Sequence, residues 1–238
     1  MTGDRSFTDR LSSILSTPTP QPATWLSILL AAVAVIAGIT ATWARYITAI
    51  STLIHETGHA LAAILTGGGV HVIRIHDHES GVAYTWYWSR ASSVISSFAG
   101  YATPPLAGLG AAHLIADGKA AAALAILTLV AALVLLVTRD LATLAIVVLI
   151  GGTSAALFWW GTPDVQTIAA TAVAWLLLVS EAIHLAGLAV DRYLRGVWNP
   201  GDEDTLADDT GIPALVWLLA WWALSGWCAW AASPLLIA

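Results

Sequence analysis

The sequence predicts an all-α membrane protein, a polytopic helical bundle of about seven spans with a small membrane-associated β-hairpin after the second helical run. Three observations carry this. Of 238 residues, 58% are hydrophobic and 10% charged, far too apolar for an ordinary soluble domain. Apolar runs close to the ~20 residues that a spanning helix requires recur along the chain, separated by short polar segments. After Gly67, Gly68 and Gly69 the spacing of apolar residues changes from helical to alternating.

Residues 1–23 are polar, mix Asp4, Arg5, Asp9 and Arg10, and end in a Pro-rich stretch. They read as a mobile tail without the apolar core and cleavage site of a removable signal peptide. Residues 24–238 read as one polytopic membrane domain. The first apolar run, 25–43, carries Trp25 and Trp43 where interfacial aromatics are expected. A second helical run covers 47–65 and stops at the glycine triplet, where helical geometry is cheaply abandoned. Residues 70–75 and 82–88 are rich in β-branched and aromatic side chains, and the polar link 76–81 suits a turn, which predicts the hairpin. Further spans are expected at 93–116, 120–138, 141–160, 165–190 and 212–237, with 191–211 as a long polar connection.

The formal net charge of −6 comes mainly from acidic residues between Asp191 and Asp209, and no basic patch exists to hold nucleic acid. Cys228 is the only cysteine, which excludes internal disulfides and cysteine-based metal sites. Seven alternating spans put Arg5, Arg10, Arg74, Arg90, Arg139, Arg192 and Arg195 on one side and Arg45 and Lys119 on the other. The bias predicts that the N-terminus, the hairpin and the 191–211 loop are cytoplasmic.

The chemistry is concentrated in His55-Glu56-Thr57-Gly58-His59, an HExxH pattern inside the second helical run. Four residues apart on a helix, His55 and His59 stack on one face about 6 Å apart along the axis, so both imidazoles can bind one zinc ion. Glu56 points about 100° away, suited to act as the base toward an attacking water rather than as a third ligand. A chance coincidence of hydrogen-bonding residues is the bland alternative. It is disfavoured because a carboxylate at the centre of an apolar helix costs about 2.5 kcal/mol or more unless a metal or partner satisfies it. A non-proteolytic metal-binding or transport protein is the rival function, in which Glu56 would be dispensable.

Other polar residues in or near the spans are weaker candidates. Glu181 and His184 share a helix face and are expected to hydrogen-bond each other. His71, His76 and His78 crowd the hairpin, where solvated turn histidines are commoner than metal ligands. His113, near a span end, is expected to face water or cap carbonyls. Trp217, Trp221, Trp222, Trp227 and Trp230 form an aromatic surface suited to packing or lipid contact. A tetrahedral zinc needs a third protein ligand, and the acidic candidates are Asp202, Glu203, Asp204, Asp208 and Asp209, with Glu181 in the preceding span. The same acidic run also suits the first turn of a short helix capped by Asp202.

From about Ile47 to Trp222 the chain resembles the site-2 proteases, and in particular their short bacterial relatives without a PDZ-like module. HETGHALAAILTGG looks like the catalytic helix and its glycine exit, and VHVIRIH with SGVAYTW looks like the membrane-associated sheet. FAGYATPPLAGLG is similar to the small-residue helix that follows, and GDEDTLADDTGIPALVW to the C-terminal signature. The usual Asp-Gly at the third ligand is here Asn199-Pro200-Gly201-Asp202. The resemblance implies Zn2+ held by His55, His59 and Asp202, with Asp204 as runner-up, and Glu56 as the catalytic base. It further implies a transmembrane protein or peptide substrate cut in or next to the lipid bilayer, and a multi-pass protein of a bacterial cell membrane. A substrate helix must unwind before attack, and the strand at 82–88 is the expected edge to receive it.

Overall fold

The computed structural model describes residues 6–40, 45–75, 81–197 and 200–237. Along them the chain forms α1 Phe7–Ser16, α2 Thr24–Ile39, α3 Arg45–Leu65, the strands β1 Gly69–Ile75 and β2 Gly81–Trp86, and α4 Arg90–Ala116. Then come α5 Ala120–Val137, α6 Leu141–Trp160, α7 Pro163–Val190, a π-helical turn Asp191–Arg195, α8 Asp202–Thr210 and α9 Ala214–Leu236. Helix starts follow local chemistry. The Ser89 hydroxyl accepts from the Ser92 N–H at 3.2 Å, and the Asp140 carboxylate accepts from the Thr143 N–H at 2.9 Å. Thr162 caps α7 with Pro163 as its first residue; each cap satisfies a donor that the helix leaves over.

Four helical stretches among the described residues are long and apolar enough to cross a membrane: Ala120–Val137, Leu141–Trp160, Pro163–Arg195 and Ala214–Leu236. Thr24–Ile39 is apolar but shorter. The expected count of seven is therefore not reached by length and apolarity. α3 and α4 are long enough, at 21 and 27 residues, but His55, Glu56 and His59 dilute the first and serines and glycines the second. His59 of α3 and Thr66 just beyond its end meet Ser96 and Ser92 of α4, while His55 turns toward Glu181 and Asp202 and Glu56 toward Gly81. Gly58 on α3 lies so close to α4 that a Cβ there would sit 2.7 Å from the Ala99 carbonyl oxygen, the close backbone approach that small residues permit in membrane bundles. Pro104 and Pro105 lie inside α4 without ending it, as neighbouring helices in a bundle allow.

The hairpin forms as expected, antiparallel, with Ile73 opposite Ala83 and Ile75 opposite Gly81. β1 begins at Gly69 and β2 ends at Trp86, so Tyr87 and Trp88 leave the strand. His71 is the extra residue of a bulge between Val70 and Val72. The turn residues His76 and His78 lie outside the described residues. Ile73 and Ile75 are fully buried, because β1 lies across the ends of α5 and α6: Ile73 bridges to Thr138, and the Ile75 N–H donates to the Thr143 hydroxyl at 2.8 Å. That leaves β2 as the edge facing α3.

The N-terminal segment lies at the opposite end of the bundle. Within 6–23, expected as tail, Phe7–Ser16 is helical, Phe7 stacks on Trp159 with ring centroids 5.1 Å apart, and the Arg10 guanidinium donates to the Trp159 carbonyl at 3.1 Å. The Thr19 N–H donates to the Gly118 carbonyl at 2.8 Å. α6 has 20 residues and so separates these contacts from the hairpin by about 30 Å. The Lys and Arg count places Arg10 with the hairpin arginines, whereas the structure puts it at the Trp159 end of α6. α2 meets α7 with Ser27 at Trp175 and Gly38 at Ile183, and α3 ends where Thr66 meets Ser92 at the start of α4. Both therefore run toward the hairpin end, a departure from strict up-and-down alternation.

Candidate active site

α3, α4 and α8 bring the site together. His55 and His59, one helical turn apart on α3, have their Nε2 atoms 3.1 Å apart. Asp202, the first residue of α8, directs Oδ2 at both, 3.3 Å from His55 Nε2 and 3.1 Å from His59 Nε2. Gly201 takes the cap position expected for Asp202, which frees the Asp202 carboxylate to point into the bundle.

The donor set fits a metal ion. His59 Nδ1 lies 2.8 Å from the Ser96 carbonyl; a carbonyl only accepts, so Nδ1 carries the proton and Nε2 presents a lone pair. With the His55 proton likewise on Nδ1, on the side of Glu181 3.9 Å away, His55 Nε2, His59 Nε2 and Asp202 Oδ2 converge as three acceptor atoms, an arrangement that repels itself without a positive centre. Four ligands at about 2.0–2.1 Å around a tetrahedral zinc are about 3.3 Å from one another, and the three separations found match that edge. Among the described residues, His55, His59 and Asp202 are the group of His, Cys, Asp or Glu able to hold such an ion.

The surroundings are built to hold the two rings. Gly100 of α4 packs directly on them: a Cβ there would collide with His59 Nε2 and would lie 2.5 Å from His59 Cε1 and 2.8 Å from His55 Nε2. Tyr101 meets the His55 ring edge-on, with centroids 4.5 Å apart. The Ser96 hydroxyl donates to the His59 carbonyl at 3.0 Å. Glu56 is buried, and among the described residues its Oε2 has no hydrogen-bond partner. Gly81 of β2 covers it so closely that a Cβ would lie 2.5 Å from Oε1. His55, Glu56, Asp202, Gly81 and Tyr101 line one cavity of about 1000 Å³.

Several expected roles are redistributed. Glu181 does not pair with His184: its Oε1 accepts from the Ser51 hydroxyl at 2.7 Å, and its Oε2 lies 3.9 Å from His55 Nδ1. His184 stacks on Tyr101 instead, with ring centroids 6.0 Å apart. Asp204, the runner-up ligand, is bonded to Arg192 and accepts from the Gly201 N–H at 3.2 Å. Glu203 is fully buried on Arg192, Asp208 is exposed, and Asp209 lies 3.8 Å from Arg90. His113 bonds the Leu109 carbonyl of its own helix. His71 is exposed on the bulge. Trp221 is a packing residue, fully buried with its indole N–H on the Phe98 carbonyl. Ser96, Gly100, Gly81 and Arg192 escaped sequence reasoning; the glycines in FAGY and SGVAY were the available signal.

No curated protein and no solved structure matches the chain. The profile of the Peptidase M50B-like family matches residues 25–232, a span that contains α3 to α8, nearly all of α2 and α9, and every residue of the site. A metallopeptidase family of membrane proteins, four helices able to cross a bilayer and a buried His-His-Asp cluster agree with one another, and the chain belongs to the Peptidase M50B-like family.

Proposed function

We propose that the protein is a zinc-dependent intramembrane endopeptidase that hydrolyses peptide bonds in or next to the transmembrane segments of other membrane proteins. The observation that carries this reading is the convergence of His55 Nε2, His59 Nε2 and Asp202 Oδ2 beside the open Oε2 of Glu56. Bound there, zinc would supply Lewis acidity and a water acidic enough to lose its proton near neutral pH. Glu56 accepts that proton and returns it to the leaving amine. Ser96 keeps His59 in the tautomer that offers Nε2. Glu181, steadied by Ser51, stands behind His55 Nδ1.

A helical substrate cannot be cut while its carbonyls are bonded within the helix. β2 offers a remedy, since its Gly81–Ala83 segment lines the Glu56 cavity and its edge is not taken by another strand among the described residues. An unwound substrate segment adds there as a strand, held by backbone bonds beside Glu56. The hairpin end carries Arg74, Arg90, Arg139, Arg192 and Arg195, whereas Arg10 and Lys119 lie at the other. That asymmetry supports a cytoplasmic hairpin and site, with the N-terminal helix on the opposite face.

The test compares membrane proteomes of cells carrying wild-type protein and Glu56→Gln. Uncut transmembrane segments that accumulate only with Glu56→Gln support proteolysis and identify the substrate. Identical proteomes, with metal-dependent transport retained by the variant, favour a carrier.

A further inference from the structure

α8 opens with three consecutive carboxylates, and the helical rotation of about 100° per residue sends them in three directions. Asp202 goes to the histidines. The other two go to one side chain. Arg192 Nη1 donates to Glu203 Oε1 at 2.8 Å and to Asp204 Oδ2 at 3.1 Å, while its Nη2 meets Asp204 Oδ1. Glu203 is fully buried, and most of the Arg192 guanidinium is covered. Arg192 itself sits in the π-helical turn that ends α7, a turn closed by Gly196 at φ +69°. π-Helical turns inside or at the end of α-helices are often kept at functional sites.

We propose that Arg192 is the positioning residue of the metal centre: by clamping Glu203 and Asp204 it locks the first turn of α8 so that Asp202 alone meets His55 and His59. The inference rests on the reading of those three residues as metal ligands. Two features give it force. Residues 200 and 201 approach α8 as Pro-Gly with no regular structure, so backbone bonding along the chain does little to fix where α8 begins. Asp202 therefore depends on contacts made by α8 itself, and the bidentate Arg192 pair is the most directional of these. The clamp also removes competition. Glu203 and Asp204 are hard oxygen donors one and two residues from the site, and a cation would draw either one if its carboxylate were released. A guanidinium fork matches the Asp204 carboxylate in a way that an ammonium cannot.

The experiment measures the zinc dissociation constant of the purified full-length protein in detergent by competition with a chromophoric chelator. It also records the visible spectrum of the cobalt-loaded protein. Arg192→Gln is expected to weaken zinc binding by about 10–100-fold, the usual effect of losing an outer support of a metal ligand, and to change the cobalt spectrum. Arg192→Lys restores part of the affinity. Arg192→Gln combined with Glu203→Gln is no weaker than Arg192→Gln alone, because both variants break one clamp. Arg195→Gln, which removes an exposed pair with Asp191, leaves affinity and spectrum unchanged. Should Arg192→Gln fail to fold, Arg192→Lys and Glu203→Gln read the same two quantities.

Wild-type zinc affinity and cobalt spectrum in the Arg192 variants, while His55→Ala loses the metal, would overturn the positioning role. An equal loss in Arg195→Gln would also overturn it by reducing the effect to general charge. Retention of zinc by His55→Ala is a different outcome, which sinks the metal-centre reading itself.

Discussion

Two alanine substitutions on α4 separate the packing of the metal cradle from helix propensity. Gly100 and Gly110 lie on the same helix, ten residues apart. At Gly110 a Cβ would meet nothing within 4 Å; at Gly100 it would collide with the His59 ring, lying 2.5 Å from Cε1, and would stand 2.8 Å from His55 Nε2. Ordinary contact at Cε1 is near 3.4 Å, so the histidines or α4 must retreat by about 0.9 Å, and overpacking of that kind costs about 1–3 kcal/mol. The larger effect falls on the site. Metal ligands tolerate about 0.2 Å of displacement, and a misplacement of about 1 Å in a catalytic constellation can cost on the order of 100-fold. Gly100→Ala should therefore lower zinc affinity and peptide cleavage by about 100-fold. Gly110→Ala, gaining helix propensity without a clash, should leave both unchanged and be neutral or stabilising by up to about 1 kcal/mol. Chelator competition, cleavage of a transmembrane peptide in detergent and thermal unfolding of both variants provide the comparison. Equal metal affinity in Gly100→Ala and Gly110→Ala would refute the proposed cradle.

Other expectations follow from the same geometry. Glu56→Gln should keep zinc and lose about 100-fold or more of its cleavage rate, as removal of a general base does; wild-type cleavage by this variant would assign the base elsewhere. Asp202→Ala should lose metal while Asp208→Ala keeps it, since Asp202 points at both histidines and Asp208 at solvent; equal metal content in the two variants would remove Asp202 from the ligand set. Single cysteines placed at Ser12 in α1 and at Asp208 in α8, in a Cys228→Ser background, should react with an impermeant reagent from opposite sides of the membrane. Labelling of both from one side would contradict the separation of α1 from the hairpin end.

Much of the fold and the heart of the site could be read along the chain because both are local. Apolar runs declare helices in lipid without any partner, since each residue of a spanning helix satisfies its backbone within the helix. The i, i+4 spacing of His55 and His59 puts their rings together on any α-helix, with Glu56 beside them. The glycine triplet and the alternation after it announce the hairpin, although the bulge at His71 has no such local sign. Crossing number was harder to read: α3 and α4 carry polar residues that a bundle hides from lipid, and the order of α2 and α3 depends on packing against α7.

What the sequence by itself determined, then, was the class of protein, the helix carrying HExxH and the family of chemistry, each encoded within a few turns of chain. Which acidic residue reaches the histidines, and which residues hold it there, belonged to the tertiary structure. Asp202, Glu203 and Asp204 are chemically near-equivalent neighbours, and Asp202 lies 143 positions beyond His59, so no local spacing distinguishes them. The rotation of α8 does: it turns Asp202 toward α3, buries Glu203 and gives Asp204 to Arg192. Gly100 and Ser96 are likewise ordinary small residues in sequence, and only the packing of α4 across α3 turns one into the floor beneath the two histidine rings and the other into the support of His59.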